Sequence, residues 1–228
     1  MRLRRLNQGI GWREAFIEIF LIFIGINLSI WFNNWNQERK ERRIEIQVLE
    51  ELQTSLSMDM ERAEHAVKMY TERVYVFYML VDYIENKKPM DDSLIKVFPK
   101  ISGLTYFLQN RAAYESYKSK GLELIENDSL RLGIIEYYET EIKWLQFNLE
   151  FADKYYDEHI NTLLLGTLTW EGNLQNNYNE ILRDKKMLQV FKGALLVNKN
   201  LEKLNSEINA KARLLSETIA YDIKRLTD

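Results

Sequence analysis

The stretch Ala15–Phe32, AFIEIFLIFIGINLSIWF, limits what this chain can become more than any other feature. It carries one acid, Glu18, and one amide, Asn27. As a helix rising about 1.5 Å per residue it reaches about 27 Å, close to the hydrocarbon thickness of a bilayer. The residues after Asn33 return to a water-soluble composition. The expected organisation is therefore a basic tail at 1–14, a membrane anchor at 15–36 and one helical domain at 37–228.

The flanks separate an anchor from a cleaved signal peptide. Arg2, Arg4 and Arg5 resemble a signal n-region, but no small-x-small cleavage site follows the apolar run. Trp31-Phe32-Asn33-Asn34-Trp35-Asn36-Gln37-Glu38-Arg39-Lys40-Glu41-Arg42-Arg43 follows instead. Trp31 and Trp35 share one side of a helix at headgroup depth, and Trp12 marks the opposite interface. The reading is an uncleaved anchor. Arg2, Arg4, Arg5 and Arg13 balance Arg39, Lys40, Arg42 and Arg43, so the count of bases leaves orientation tied. The expected orientation is N-terminus inside and domain outside, as in many short-tailed anchors. The second basic group has two readings. It meets anionic headgroups, or it is a solvated helix face, since Glu38 and Glu41 interleave with it.

On a helix, Glu14, Glu18, Gly25, Ser29 and Asn36 fall within about 40° of one line, with Asn27 opposite. Gly25 and Ser29 form a small-xxx-small pair that lets another helix approach closely. An acid in a membrane segment is costly and usually faces protein or water. The stripe Glu14–Glu18–Gly25–Ser29 is thus read as packing against copies of itself or a partner helix. The bland reading is that Glu18 snorkels to the interface. A proton or ion path through Glu18 is a narrower alternative, because the segment offers it no basic partner.

The remainder of the 228 residues reads as helix, for Gly (9) and Pro (2) are scarce. Asn27–Lys88 has neither, so the membrane helix is expected to continue, with Asn33–Asn36 the place for a bend. From there Leu49, Leu52, Leu56, Met60, Ala63, Val67, Tyr70, Val74, Phe77, Val81 and Ile84 define one buried stripe. A loop at Asn86–Leu104 with an Asp-capped short helix follows, then a helix at Gln109–Lys120 stopping at Gly121. Asn127-Asp128-Ser129 opens a long helix to about Leu165, with stripe Ile134, Tyr138, Ile142, Leu145, Leu149, Ala152, Tyr156, Ile160 and Leu163. After a polar loop at Gly166–Asn179, Asp184 caps the last helix. Its stripe is Val190, Gly193, Val197, Leu201, Leu204, Ile208, Ala212, Leu215, Ile219, Ile223 and Leu226, repeating about every 11 residues. The fold class expected is all-α: an N-terminal transmembrane helix continuing into an elongated antiparallel bundle of three long helices plus short ones. An intermolecular coiled coil is the alternative use of those stripes.

No catalytic pattern stands out. Cys (0) removes disulfides, Cys-ligated zinc and thiol catalysis, and the glycines form no phosphate-binding loop. His65 and His159 each sit near acids, but a metal site needs three or more ligands, and neither has them in sequence. The net charge of -3 gives no global field for nucleic acid. Tyr137-Tyr138 and Tyr155-Tyr156, with Trp144 and Phe147, read as core, with a ligand pocket the lesser reading. No catalytic residue, cofactor or metal ligand is therefore expected.

Two segments carry a resemblance. One is Ile24-Gly25-Ile26-Asn27-Leu28-Ser29 with Asn33-Asn34-Trp35-Asn36-Gln37-Glu38-Arg39-Lys40. The other runs from Ala113-Tyr114-Glu115-Ser116-Tyr117-Lys118 through Gly121 and Asn127-Asp128-Ser129 to Tyr137-Tyr138. They resemble an uncharacterised family of single-span bacterial proteins, common in Bacteroidota and catalogued as a domain of unknown function. Tyr117 stands where that family has an aliphatic residue, and one residue fewer follows Gly121. The resemblance implies an inner-membrane protein and supplies no activity. The expected function is a non-enzymatic, membrane-anchored helical protein: an oligomeric scaffold or an accessory subunit of a membrane complex. Its partners would be the lipid bilayer and itself or another membrane protein. The alternatives are an oligomeric channel using Glu18 and a membrane-tethered ligand or peptide sensor.

Overall fold

The computed structural model describes residues 12–101, 110–162, 178–179 and 184–228, and every element in them is helical. Two compact units divide the chain, Met1–Gln47 and Val48–Asp228. The helices are α1 (Trp12–Glu85), α2 (Asp92–Val97), α3 (Ala112–Lys120), α4 (Asp128–Glu136), α5 (Ile142–Tyr155) and α6 (Lys185–Thr227).

The described part of the first unit is the leading portion of α1. Helical structure runs through residues 33–36 without a break. The large apolar residues from Phe16 to Phe32 are all exposed, from 37% at Ile24 to 71% at Phe16. Among the described residues, this is the one helix long and apolar enough to cross a membrane.

The second unit is built on phase. On α1 the buried line is Leu49, Leu52, Leu56, Asp59, Ala63, Ala66, Tyr70, Arg73, Phe77, Leu80 and Ile84. On α6 it is Met187, Phe191, Ala194, Asn198, Leu201, Asn205, Ile208, Ala212, Leu215, Ile219, Asp222 and Leu226. Both lines alternate steps of three and four, a period of about 3.5 residues. The 11-residue period came from passing over Asn198, Asn205 and Asp222 because they are polar. Gly193, Val197 and Ile223, taken instead, are only half-buried. Side-chain bonds tie the two helices along their length. Gln53 donates to the Ser216 carbonyl, Glu64 accepts from Asn209 and Arg213, Thr71 donates to Glu202, and Lys192 pairs with Glu85. Numbers rise along α1 as they fall along α6, so the two run in opposite directions.

α4 and α5 pack on α6. Their sequence stripe holds: Ile134, Tyr138, Ile142, Leu145, Leu149, Ala152, Tyr156 and Ile160 are all buried, while Leu163 lies outside the described residues. Two π turns interrupt the α geometry, Tyr137–Glu141 and Tyr156–Asn161. The stripe explains them. Ile134–Tyr138–Ile142 and Ala152–Tyr156–Ile160 are successive steps of four, each drifting about 40° around an α-helix. A wider turn at each place absorbs the drift and keeps the line facing inward.

The expected caps form. Asp91 accepts from the Ser93 and Leu94 amides at 3.0 Å, Asn127 from Leu130 at 3.3 Å and Asp184 from Lys186 at 2.8 Å. α3 stops at Gly121, whose φ of 108° suits only glycine. The loop expected at Gly166–Asn179 lies outside the described residues except for 178–179, where the Tyr178 hydroxyl donates to the Lys88 carbonyl at 2.8 Å.

Candidate functional site

The residues expected at a membrane come first in the chain. Glu18, Gly25 and Ser29 lie exposed on α1, and a Cβ built on Gly25 would meet nothing within 4 Å. The side chain of Glu14 is outside the described set. On the opposite face Asn27 donates its amide back onto the Phe23 carbonyl at 2.8 Å, a bond within the helix. At the far end Trp31 and Trp35 stack with ring centroids 6.4 Å apart, and the Arg39 guanidinium lies 4.9 Å above the Trp35 ring. Trp12, Lys40, Arg42 and Arg43 are exposed.

A second cluster forms in the domain, where α1, the start of α3 and the first π turn meet. Asp59 is fully buried. Its carboxylate accepts the Asn110 amide at 3.3 Å and the Tyr137 hydroxyl at 3.4 Å. Burial raises its pKa to about 6, against the opposing pull of the Asn110 amide, Arg62 and Tyr137. Ser55, one turn earlier, donates to the Asn110 carbonyl at 2.7 Å and so fixes that segment. Tyr138 stacks on Tyr114 at 4.5 Å and stands edge-on to Tyr137 at 5.0 Å. Its own hydroxyl is buried without a partner. At the rim, Glu139 gathers Arg111, Lys118 and Lys143, and hydrogen bonds from Lys143 and Lys118 hold its pKa down to about 2.

Polar residues also break the core further along. Arg73 is 6% exposed with Nη1 unpartnered, and its guanidinium lies 5.9 Å from the Tyr156 ring. Asn198 donates to the Tyr156 hydroxyl at 2.7 Å. Asp222 accepts from Asn127, the cap of α4, at 3.2 Å. Sequence reasoning missed Asp59, Arg73, Asn198, Asn205 and Asp222 because it required apolar residues in each stripe. The signal was their phase: each falls on the alternating three-four step of its leucine neighbours.

Tyr138 and Tyr156, the centre of the aromatic helix, are sealed by Tyr114 and Phe77. Trp144, Phe147 and Phe151, on another face of α5, are more than half exposed. A cavity of about 260 Å³ lies instead between α4, the first π turn and α6, lined by Leu130, Gly133, Tyr137, Leu214 and Leu215 among others. His65 and His159 are exposed, the latter against the Tyr155 ring. Among the described residues no three His, Cys, Asp or Glu side chains group to hold a metal.

Residues 18–199 match the family described as "Family of unknown function (DUF6090)". The chain belongs to this family. The DUF6090 match begins at Glu18 and takes in both segments that carried the resemblance, together with the Asp59 cluster and the Arg73–Tyr156–Asn198 contacts. Within it the Tyr114–Asn127 stretch has a structural reading. Tyr114 packs the cluster, the Tyr117 hydroxyl closes on the Leu122 carbonyl at 2.5 Å, and Gly121 and Asn127 make the corner into α4. No curated protein matches the chain, and no solved structure does.

Proposed function

We propose that this protein is a non-enzymatic, single-pass membrane protein that assembles through its anchor, as an oligomeric scaffold or accessory subunit of a bacterial inner-membrane complex. One observation carries the reading: the large apolar residues from Phe16 to Phe32 are all exposed, on the one described helix long and apolar enough to cross a membrane. Lipid is the environment that makes such a helix stable. The N-terminus lies in the cytoplasm and the domain in the periplasm. There the long helices form an elongated antiparallel bundle, with α1 and the α4–α5 segment both opposed to α6. Glu18, Gly25 and Ser29 mark the packing side. Asn27, whose amide turns back onto its own helix, marks the lipid side.

The chain has no cysteine, so a single introduced one reports its own neighbours. Gly25→Cys and Ser29→Cys are expected to cross-link copies, or one partner, in native membranes, while Asn27→Cys is not. Absence of cross-links at both stripe positions, or equal cross-linking at Asn27→Cys, contradicts the reading.

A further inference from the structure

We propose that the exit of the membrane helix is a binding face for the phosphate of an anionic phospholipid headgroup. The inference rests on the anchor reading above and deepens it. Bases and acids alternate in the sequence here, but on the helix Arg39, Lys40 and Arg43 separate from the acids. At about 100° per residue, Trp35, Arg39, Phe32, Arg43, Asn36 and Lys40 share an arc of about 140°. Between Trp31 and Arg43 that arc holds no acid. Glu38 and Glu41 lie on the other side, where Gln37 donates to Glu41 at 2.7 Å. Glu45, the next acid along the chain, falls on that other side as well and is buried.

Three observations point to a phosphate. Arg39, Lys40 and Arg43 are exposed, and among the described residues none of them pairs with an acid. Helical side chains lean towards the N-terminus, which brings these cations back towards the tryptophan layer. The Arg39 guanidinium already lies over the Trp35 ring at 4.9 Å. Tryptophan rings settle at headgroup depth, so the cations meet lipid phosphates and not acyl chains. Guanidinium forks bind phosphate bidentately, and the Asn36 amide adds a neutral donor.

The same side of the helix continues the Glu18–Gly25–Ser29 stripe. When two copies pack along that stripe, their Arg39, Lys40 and Arg43 converge, and like charges oppose the contact. An anionic headgroup seated between them removes the opposition. Assembly should therefore depend on anionic lipid.

The test reconstitutes the full chain in phosphatidylcholine vesicles with and without phosphatidylglycerol. It reads Gly25→Cys cross-linking and lipid retained on native mass spectra. The expected result is at least about a fivefold rise in cross-linked product with phosphatidylglycerol, with retained phosphatidylglycerol adducts that excess inorganic phosphate does not displace. In the Gly25→Cys background, Arg39→Ala/Lys40→Ala/Arg43→Ala should lose both the adducts and the lipid dependence. Lys68→Ala, an exposed base further along the chain and outside this stretch, should keep them. Equal cross-linking in both vesicles without adducts overturns the headgroup face and leaves the anchor reading standing. Displacement by inorganic phosphate, or equal loss in Lys68→Ala, also overturns it. Failure to cross-link in any vesicle overturns the headgroup face together with self-assembly, and leaves assembly with a partner to the native-membrane cross-links.

Discussion

Asp59 occupies a position where its neighbours along α1 are leucine and alanine, and it is fully buried there. Its pKa stands near 6 in the folded chain against 3.8 as its ordinary value, because burial disfavours the charged form. The folded state therefore binds this proton more tightly than the unfolded state. The stability Asp59 contributes is complete below about pH 3.8 and is lost as pH rises through about 6. Asp59→Asn imitates the protonated form. It should raise unfolding stability at pH 7 by about 1–3 kcal/mol, with the gain vanishing towards pH 4. Denaturant unfolding of both proteins across that range measures it, and a variant less stable at every pH would contradict the assignment. Sequence pattern could not show this residue's role, because an acid at helical spacing looks like a solvated one until its neighbours across the core are known.

At the scale of elements, much was legible. The caps Asp91, Asn127 and Asp184 formed where short polar side chains precede apolar runs. The α4–α5 stripe was read correctly through two π turns, since the turns serve the stripe. The stripes of α1 and α6 were read too narrowly. A polar residue kept in phase belongs to the core when a partner across the interface satisfies it, and the partner is invisible in one dimension. Asn205 is the exception that tests this. It is fully buried, donates to the Leu201 carbonyl at 2.8 Å and leaves its own Oδ1 unpartnered. Asn205→Leu should therefore stabilise the protein by about 1–2 kcal/mol, while Asn198→Leu, which strips a donor from the Tyr156 hydroxyl, should destabilise it. Melting curves that place the two variants in the opposite order would contradict this account.

Gly193 shows the same logic where α5 meets α6. The Tyr155 hydroxyl reaches over it to the Val190 carbonyl at 2.8 Å. A Cβ on Gly193 would fall on that hydroxyl. Gly193→Ala should lower stability by about 1–2 kcal/mol even though alanine favours helix, because the ring must withdraw and the bond is lost. The loss should largely disappear in a Tyr155→Ala background, where there is no ring to displace. Unchanged thermal stability in the single variant would mean the ring moves at no cost.

For the whole molecule, the sequence indicated an all-helical chain that begins with one long apolar helix, flanked by tryptophans and arginines. It could not indicate how many copies work together, because Gly25 and Ser29 describe a close approach without naming what approaches. The central claim is assembly in the membrane. The most direct test is the mass of particles released from native membranes in lipid nanodiscs. The account predicts a mass of two or more chains, or of one chain with a constant partner, falling to a single chain in Gly25→Leu/Ser29→Leu. A wild-type particle of one chain, with no partner retained, would contradict it.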